Sequence, residues 1–422
     1  MTTFLGCGFA AKYLEGGGNF SVPLQWMFGL RRLKLDAIWL ELLPSEGNSR
    51  QDQVKIENFQ RQLRQHGLAG HYCLLYQKAA NEVHELETVG CVGISKRELL
   101  QRLAGPSTLL NLSYSIHPPF LLQFERRIFC DLDPSEIFYW MTKMEMGQST
   151  HQEFWTIGLN LHGADCRLQK SGVAAVSAVR TDSSRGEPAA SFRSQATSLR
   201  TKLRLGAARP PPQKLHWKTF YPLVSTQLLR AQPRPRNSKF TTIGQWYWSG
   251  SVEVNGDFPD LSKKFAFEKY LELPERISKA HFELAMNIKA DDPERLRLKK
   301  RGWHIVDPHR VARTPRKYRR YVAGALAEFT AIKGVDVAWR TGWLSDRAAS
   351  FLATGRPVIT EDTGAAKYLP RESGFHFVNG AAEAEEAVKE VLADWPRLSR
   401  QARRCAVEVF DSAKNLRRIL DL

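Results

Sequence analysis

Ser345 to Gly364, reading SDRAASFLATGRPVITEDTG, limits what this chain can fold into more than any other stretch. Ser345 is a favoured N-cap residue, and Asp346 then stands where the positive end of a helix dipole welcomes a carboxylate. Ala349, Phe351 and Leu352 supply a core-facing side, and Gly355 ends the helix. Pro357 to Thr360 is short and apolar, which reads as a buried or edge strand. Glu361-Asp362-Thr363-Gly364 follows at once and is expected to open another helix. Its free backbone N–H groups would lie just beyond the carboxyl end of the strand, where ligands bind in open α/β sheets and where phosphates are well accommodated. The pattern points to a nucleotide or a sugar phosphate.

The rest of the chain alternates in the same way. Strands are predicted at Phe4 to Gly8, Asp36 to Glu41, His71 to Tyr76, Leu109 to Tyr114 and Ile128 to Leu132, with helices at Val22 to Leu33, Val54 to Gln65 and Lys96 to Leu103. After Leu215 to Val224, a second series runs from Phe240 to Tyr247 through Phe282 to Asn287, Trp303 to Val306, Glu328 to Ile332 and Pro357 to Thr360. Such alternation implies right-handed crossovers and parallel sheets. The expected fold class is α/β, with two Rossmann-like doubly wound domains facing a cleft. The first would cover residues 1–230, the second 239–395, and helices would fill 396–422.

Net charge is +17, and its location matters more than its size. From Ser171 to Phe240 there are 13 Lys or Arg against 2 acids, which accounts for about +11 of the excess. Within it, residues 171–213 read as a disordered basic insertion, rich in Ala, Ser, Arg, Gly and Pro. Because the excess sits in one segment rather than across a folded face, nucleic acid is not the expected main partner. The six cysteines show no paired spacing, which argues against a zinc site or a disulfide framework. No apolar run approaches the roughly 18 residues that span a bilayer. The expectation is a cytoplasmic protein.

Gly16-Gly17-Gly18-Asn19 follows the first strand and opens the first helix, so backbone there can approach an anion closely. It lacks the spacing of a dinucleotide site. Together with Leu24 to Leu40 it resembles the amino-terminal unit of two-domain GT-B glycosyltransferases. Phe329 to Lys333 and Arg340 to Arg347, with the opening stretch, resemble the group-1, CgeB-like branch, where a Gly-Trp-aromatic-Ser-Asp-Arg run precedes a Gly-Arg-Pro-Val strand and a Thr-Gly loop. The likeness is specific over about Glu328 to Leu369 and looser over Asp131 to Pro134, Glu153 to Gly158 and Trp217 to Pro222.

That resemblance implies a glycosyltransferase that moves a sugar from a nucleoside-diphosphate sugar to the hydroxyl of an unknown acceptor, with no cofactor beyond that co-substrate and no metal. Thr360, Glu361, Asp362, Thr363 and Gly364 would meet the sugar or pyrophosphate. Trp343, Ser345 and Asp346 would line the cleft, and Arg347 would compensate the leaving diphosphate through its guanidinium fork. Many retaining members carry two glutamates eight residues apart here; this chain has Gly342 and Ser350. The ribose-binding carboxylate is thus absent or supplied by Glu361 or Asp362. A non-catalytic nucleotide-binding protein is the second reading, and a nucleic-acid-associated protein the third.

For acid–base chemistry, His117 follows a predicted strand of the first domain, and His151 lies just ahead of Glu153. Asp131 and Asp133 have the spacing of a metal-binding pair, but Pro134 starts a helix that Asp133 is placed to cap. Lys264, with its neighbour Lys263, begins a helix of the second domain and is a candidate phosphate contact. Trp246, Tyr247 and Trp248 are candidates for stacking on a base or sugar.

Overall fold

The structure is a computed structural model that describes residues 1–77, 86–161, 215–248 and 262–422. Residues 1–131 and 153–219 contribute the strands of one sheet: β1 (Thr2–Cys7), β2 (Asp36–Pro44), β3 (Tyr72–Gln77), β4 (Gly90–Gly93), β5 (Ser107–Leu112), β6 (Arg126–Asp131), β7 (Glu153–Thr156) and β8 (Trp217–Thr219). Their order is β4-β3-β2-β1-β5-β6-β7-β8, parallel throughout except for β4, which runs antiparallel to β3. A second sheet takes β9 (Lys239–Gly244), β10 (His281–Met286), β11 (His304–Val306), β12 (Ala327–Thr330), β13 (Val358–Thr360) and β14 (Phe375–Phe377). It is fully parallel, in the order β11-β10-β9-β12-β13-β14. Both orders reverse about their first strand, which is the doubly wound arrangement expected from the sequence.

Every residue of β1 is buried, and β2 is buried over Ala37 to Leu43. Strands apolar on both faces must be covered on both, and helices cover them. The helix Gly17–Arg32 buries Trp26, Met27 and Leu30 against the first sheet. In the second lobe Phe240, Phe282, Trp303 and Phe329 form the centre of the core.

The tail crosses back. Helix Ser412–Ile419 packs on helix Gly17–Arg32 of the first lobe, where a Cβ on Gly29 would lie 2.6 Å from a Leu416 methyl. Val224 and Asp411 form a parallel bridge, and Arg32 pairs with Asp411 at 2.7 Å. Among the described residues no helix is long and apolar enough to cross a membrane.

Several expectations change, and the strands predicted to reach Tyr247 and Ile332 end at Gly244 and Thr330. The strand predicted to reach Tyr114 stops at Leu112, because Ser113 and Tyr114 take left-handed backbone angles (φ 49° and 52°). The helix expected after Gly364 is a single 3-10 turn, Ala366–Tyr368. Leu369 is extended ahead of Pro370, which cannot continue a helix. The helix predicted at Val22 begins at Gly17 and tolerates Pro23 near its start. The insertion expected at 171–213 lies outside the described residues.

Candidate phosphate site at the second switch point

Open α/β sheets offer a ligand the crevice beyond their carboxyl edge where strand order reverses. In the second sheet that point lies between β9 and β12, and the side chains found there are cationic. Arg347, on the first turn of helix Asp346–Ala353, donates from Nη1 to the Ile243 carbonyl at 2.9 Å and from Nη2 to Thr330 Oγ1 at 3.1 Å. Its Nε pairs with Glu328. One guanidinium thereby ties the end of β9 to the end of β12.

Lys263 reaches the same place from the start of helix Lys263–Phe267. Its Nζ donates to the Ala331 carbonyl at 2.6 Å and lies 3.4 Å from Thr330 Oγ1. The stem passes over Gly244, where an added Cβ would sit 3.2 Å from the lysine Cε. Burial, then the positive charge of Arg347, pushes the Lys263 ammonium down to about 7, against the pull of Glu328 and Glu361. An ammonium so placed is short of negative charge.

The nearby carboxylates are engaged, save that Glu328 Oε2 has no hydrogen-bond partner among the described residues. Glu328 is fully buried and holds Arg347 and, at 3.3 Å, Thr242. Glu361 accepts from the Ile332 N–H at 2.6 Å and pairs with Lys269. Asp362 accepts from Gly364 N at 2.8 Å and pairs with Arg340 at 2.9 Å. The Glu361–Gly364 turn is therefore closed on itself by Asp362, while Glu361 ties it to Ile332 and Lys269. Thr363 donates to the Trp343 carbonyl at 2.7 Å, and Gly364 (φ 88°) leaves room for Asn160 of the first lobe. Thr360 keeps a buried hydroxyl with no partner among the described residues, one strand over from Thr330.

Around this centre, Ser345 caps its helix through Ala348 N at 2.9 Å. Burial raises Asp346 to about 7 beside Arg347. Trp343 packs on the first lobe's core. Lys264, singled out from the sequence, points elsewhere and pairs with Glu294 at 3.3 Å. Its neighbour Lys263 occupies the switch point instead. Glu328, a carboxylate within a buried strand, signals a cation beside it, and Arg347 is that cation; nothing local in the sequence distinguishes Lys263 from Lys264.

In the first lobe, Gly17 meets the second lobe directly: a Cβ there would lie 2.2 Å from the Ala312 carbonyl oxygen and 2.5 Å from Thr314. Gly18 faces the Tyr318 ring at 3.6 Å, Gly16 N donates to the Tyr13 carbonyl, and Asn19 is exposed. The glycine run thus serves lobe-to-lobe contact. His151 is buried, donates from Nδ1 to the Gly147 carbonyl at 2.8 Å and accepts at Nε2 from Asn111 Nδ2 at 3.1 Å. Burial drives its pKa down to about 4. Both ring nitrogens are hydrogen-bonded, so acting as a base would require His151 to give up its bond from Asn111. His117 donates from Nε2 to the Tyr114 carbonyl at 2.7 Å, which fixes its ring against Tyr114.

No protein-family model matches the chain, and no curated protein matches it. Solved structures do. An alpha-glucosyltransferase in complex with UDP and a 13-mer DNA has TM-score 0.52 at 9% identity, over 100% of this chain and 99% of that one. The glycosyltransferase from Rickettsia africae ESF-5 has TM-score 0.50 at 9% identity, covering 100% and 97%. The trehalose-6-phosphate structure from E. coli bound with UDP-2-fluoro glucose has TM-score 0.50 at 11% identity, covering 100% and 98%. The fold is GT-B.

Within this GT-B fold further contacts join the lobes, among them those of Asn160 and Lys333. Asn160 donates to the Arg340 carbonyl at 2.6 Å and accepts from Tyr368 Oη at 2.9 Å. Lys333, beyond β12, binds Asp133 at 2.7 Å and Glu136 at 2.8 Å across the boundary. Asp133 stands at the start of helix Pro134–Lys143 but makes no capping bond, because Lys333 takes its carboxylate. Asp131 is occupied by Thr156 at 2.6 Å and Asp133 N at 2.8 Å. The positions of the paired glutamates are also settled in shape: Gly342 (φ 75°) has no room for a side chain, since a Cβ would meet Asn160 N at 2.7 Å.

Proposed function

We propose that the chain is a glycosyltransferase that transfers a sugar from a nucleoside-diphosphate sugar to an acceptor hydroxyl at the meeting of its two lobes, and that it is akin to the group-1, CgeB-like branch. The observation that carries this is the convergence of Lys263 and Arg347 on Thr330 at the carboxyl ends of β9 and β12. Buried Glu328 pairs with Arg347, while Lys263 Nζ reaches only the Ala331 carbonyl and Thr330 and is left short of counter-charge. A diphosphate supplies that charge. As the bond from the sugar to the diphosphate breaks, its electron pair leaves with the phosphate oxygen, and Arg347 and Lys263 stabilise the charge that develops. The acceptor oxygen forms the new bond to the sugar and gives up its proton to the departing diphosphate oxygen, which has gained the electron pair of the broken bond. The proposed donor contacts are Lys263, Arg347, Thr330 and Thr360, with Asp346 at the rim.

Two of the neighbours of like fold were solved with UDP or a UDP sugar, which supports a uridine nucleotide as first probe. Thermal shift against uridine, UMP and UDP should rise with phosphate number, and Lys263→Met should abolish the gain from UMP to UDP. An equal response to all three would remove this reading. A second reading, nucleotide binding without transfer, is favoured by one feature: Gly342 and Ser350 stand where paired glutamates would, and Ser350 Oγ is spent on the Asp346 carbonyl at 3.0 Å. UDP binding with no release of sugar from UDP-glucose or UDP-N-acetylglucosamine would favour it.

A further inference from the structure

Between Pro308 and Ala327 the sequence holds six Lys or Arg and no Asp or Glu. The structure sets this run across the boundary between the lobes. Its start abuts the glycine run, and helix Pro315–Ala323 then lies against helix Gly17–Arg32. Arg319 donates from Nη1 to His66 Nε2 at 2.9 Å, and Arg31 of the first lobe donates to the Gly67 carbonyl at 2.9 Å. Two guanidiniums from different lobes therefore bracket one turn. Arg316, Lys317 and Arg320 stand exposed beside them. Among the described residues none of Arg31, Arg316, Lys317, Arg319 and Arg320 has an ion pair, whereas Arg313 is paired with Glu15 at 3.2 Å.

A folded chain ordinarily intersperses such charges with acids, because like charges one helical turn apart repel. Here the repulsion is retained: Arg319 is held below the ordinary arginine range by burial and by Arg316. We propose that this strip is a docking surface for the phosphodiester backbone of duplex nucleic acid. Arginine forks suit phosphate oxygens, and a row of unpaired cations matches a polyanion in charge. An anionic membrane is disfavoured, because none of the large apolar side chains exposed on the described surface lies on this helix or on the His66 turn. Single strands are disfavoured too. They are bound through aromatic stacking, and the helix turns Tyr318 and Tyr321 inward, 5% and 8% exposed. Among the described residues none of these five cations bonds to Lys263, Arg347 or Thr330, so the proposal does not rest on the donor site.

The test is fluorescence anisotropy of the full chain with a labelled 30-base-pair random-sequence duplex across a salt series. Arg316→Gln/Arg320→Gln should weaken binding roughly ten- to fifty-fold at 0.1 M salt and flatten the log–log salt slope by about 2, whatever the duplex sequence. Lys317→Gln alone should flatten it by about 1. The control, Arg397→Gln/Arg404→Gln, removes the same charge from exposed arginines that have carboxylate partners, and should leave the slope unchanged. Absence of duplex binding at 50 mM salt overturns the proposal. So does binding whose slope is the same in the strip variant and the wild type. Capture by phosphatidylserine vesicles in place of duplex, lost in the strip variant, would also overturn it and assign the strip to a lipid surface.

Discussion

Lys263 and Arg347 arise from two different helices and meet at the hydroxyl of Thr330, 3.4 Å and 3.1 Å away. Neither helix is next to the other in sequence, and the strand end between them is what registers both. From this relationship the binding predictions follow.

The first concerns pH. In the free protein the Lys263 ammonium titrates near 7, and a diphosphate binds its protonated form. Affinity for UDP should fall above pH 7, by up to about tenfold per pH unit, since each unit then requires proton uptake. Lys263→Met should bind weakly at all pH values and lack this bend. Calorimetric titration from pH 6 to 9 reads both.

Arg347→Lys keeps the charge but cannot span Glu328, Ile243 and Thr330 together. UDP affinity should drop by about tenfold, because a point charge replaces a fork. The same variant should lower the melting temperature, since Glu328 is fully buried and loses part of its pairing.

Gly17→Ala should separate lobe contact from ligand contact. The new methyl meets the Ala312 carbonyl oxygen at 2.2 Å, so backbone must move. A loss of about 1–3 kcal/mol in denaturant unfolding is expected. Gly18→Ala, whose Cβ would rest 3.6 Å from the Tyr318 ring, should be nearly silent.

Buried carboxylates set the stability profile. Desolvation raises Glu41 and Glu136 to about 7 and Asp131 to about 8. A carboxyl whose folded pKa exceeds its unfolded value stabilises the fold fully below the unfolded value, near 4, and loses that contribution as pH climbs through the folded one. Unfolding free energy should decline from about pH 5 to pH 8. Asp131→Asn keeps the bond to Asp133 N and should shallow the decline; an unchanged slope would show that Asp131 does not carry it.

Much of this was legible in the chain. Strand–helix alternation pointed to two parallel sheets, and Ser345, Asp346 and Gly355 marked their helix correctly. What escaped depended on packing distant in sequence. Lys263 and Lys264 are equivalent by pattern, and only the proximity of Gly244 decides which one turns inward. His151 looked like a free base because nothing local announces Asn111, forty residues earlier, as its partner. The Glu361–Gly364 turn read as an open anion cradle, yet Asp362 fills it, a bond no propensity encodes. Lys333 bridging to Asp133 and Glu136 joins residues about two hundred positions apart.

The returning tail has a mechanical meaning. The polypeptide passes between the lobes twice, once after Val224 and again before Asp411, and the two passages are pinned side by side by the bridge between those residues and by Arg403 bonding to the Thr226 and Leu229 carbonyls. A body hung from two adjacent straps can swing about the line joining them but resists twisting. Opening and closing of this molecule should therefore follow a single arc, and cutting the chain after Cys405 would free a rotation that the intact protein forbids.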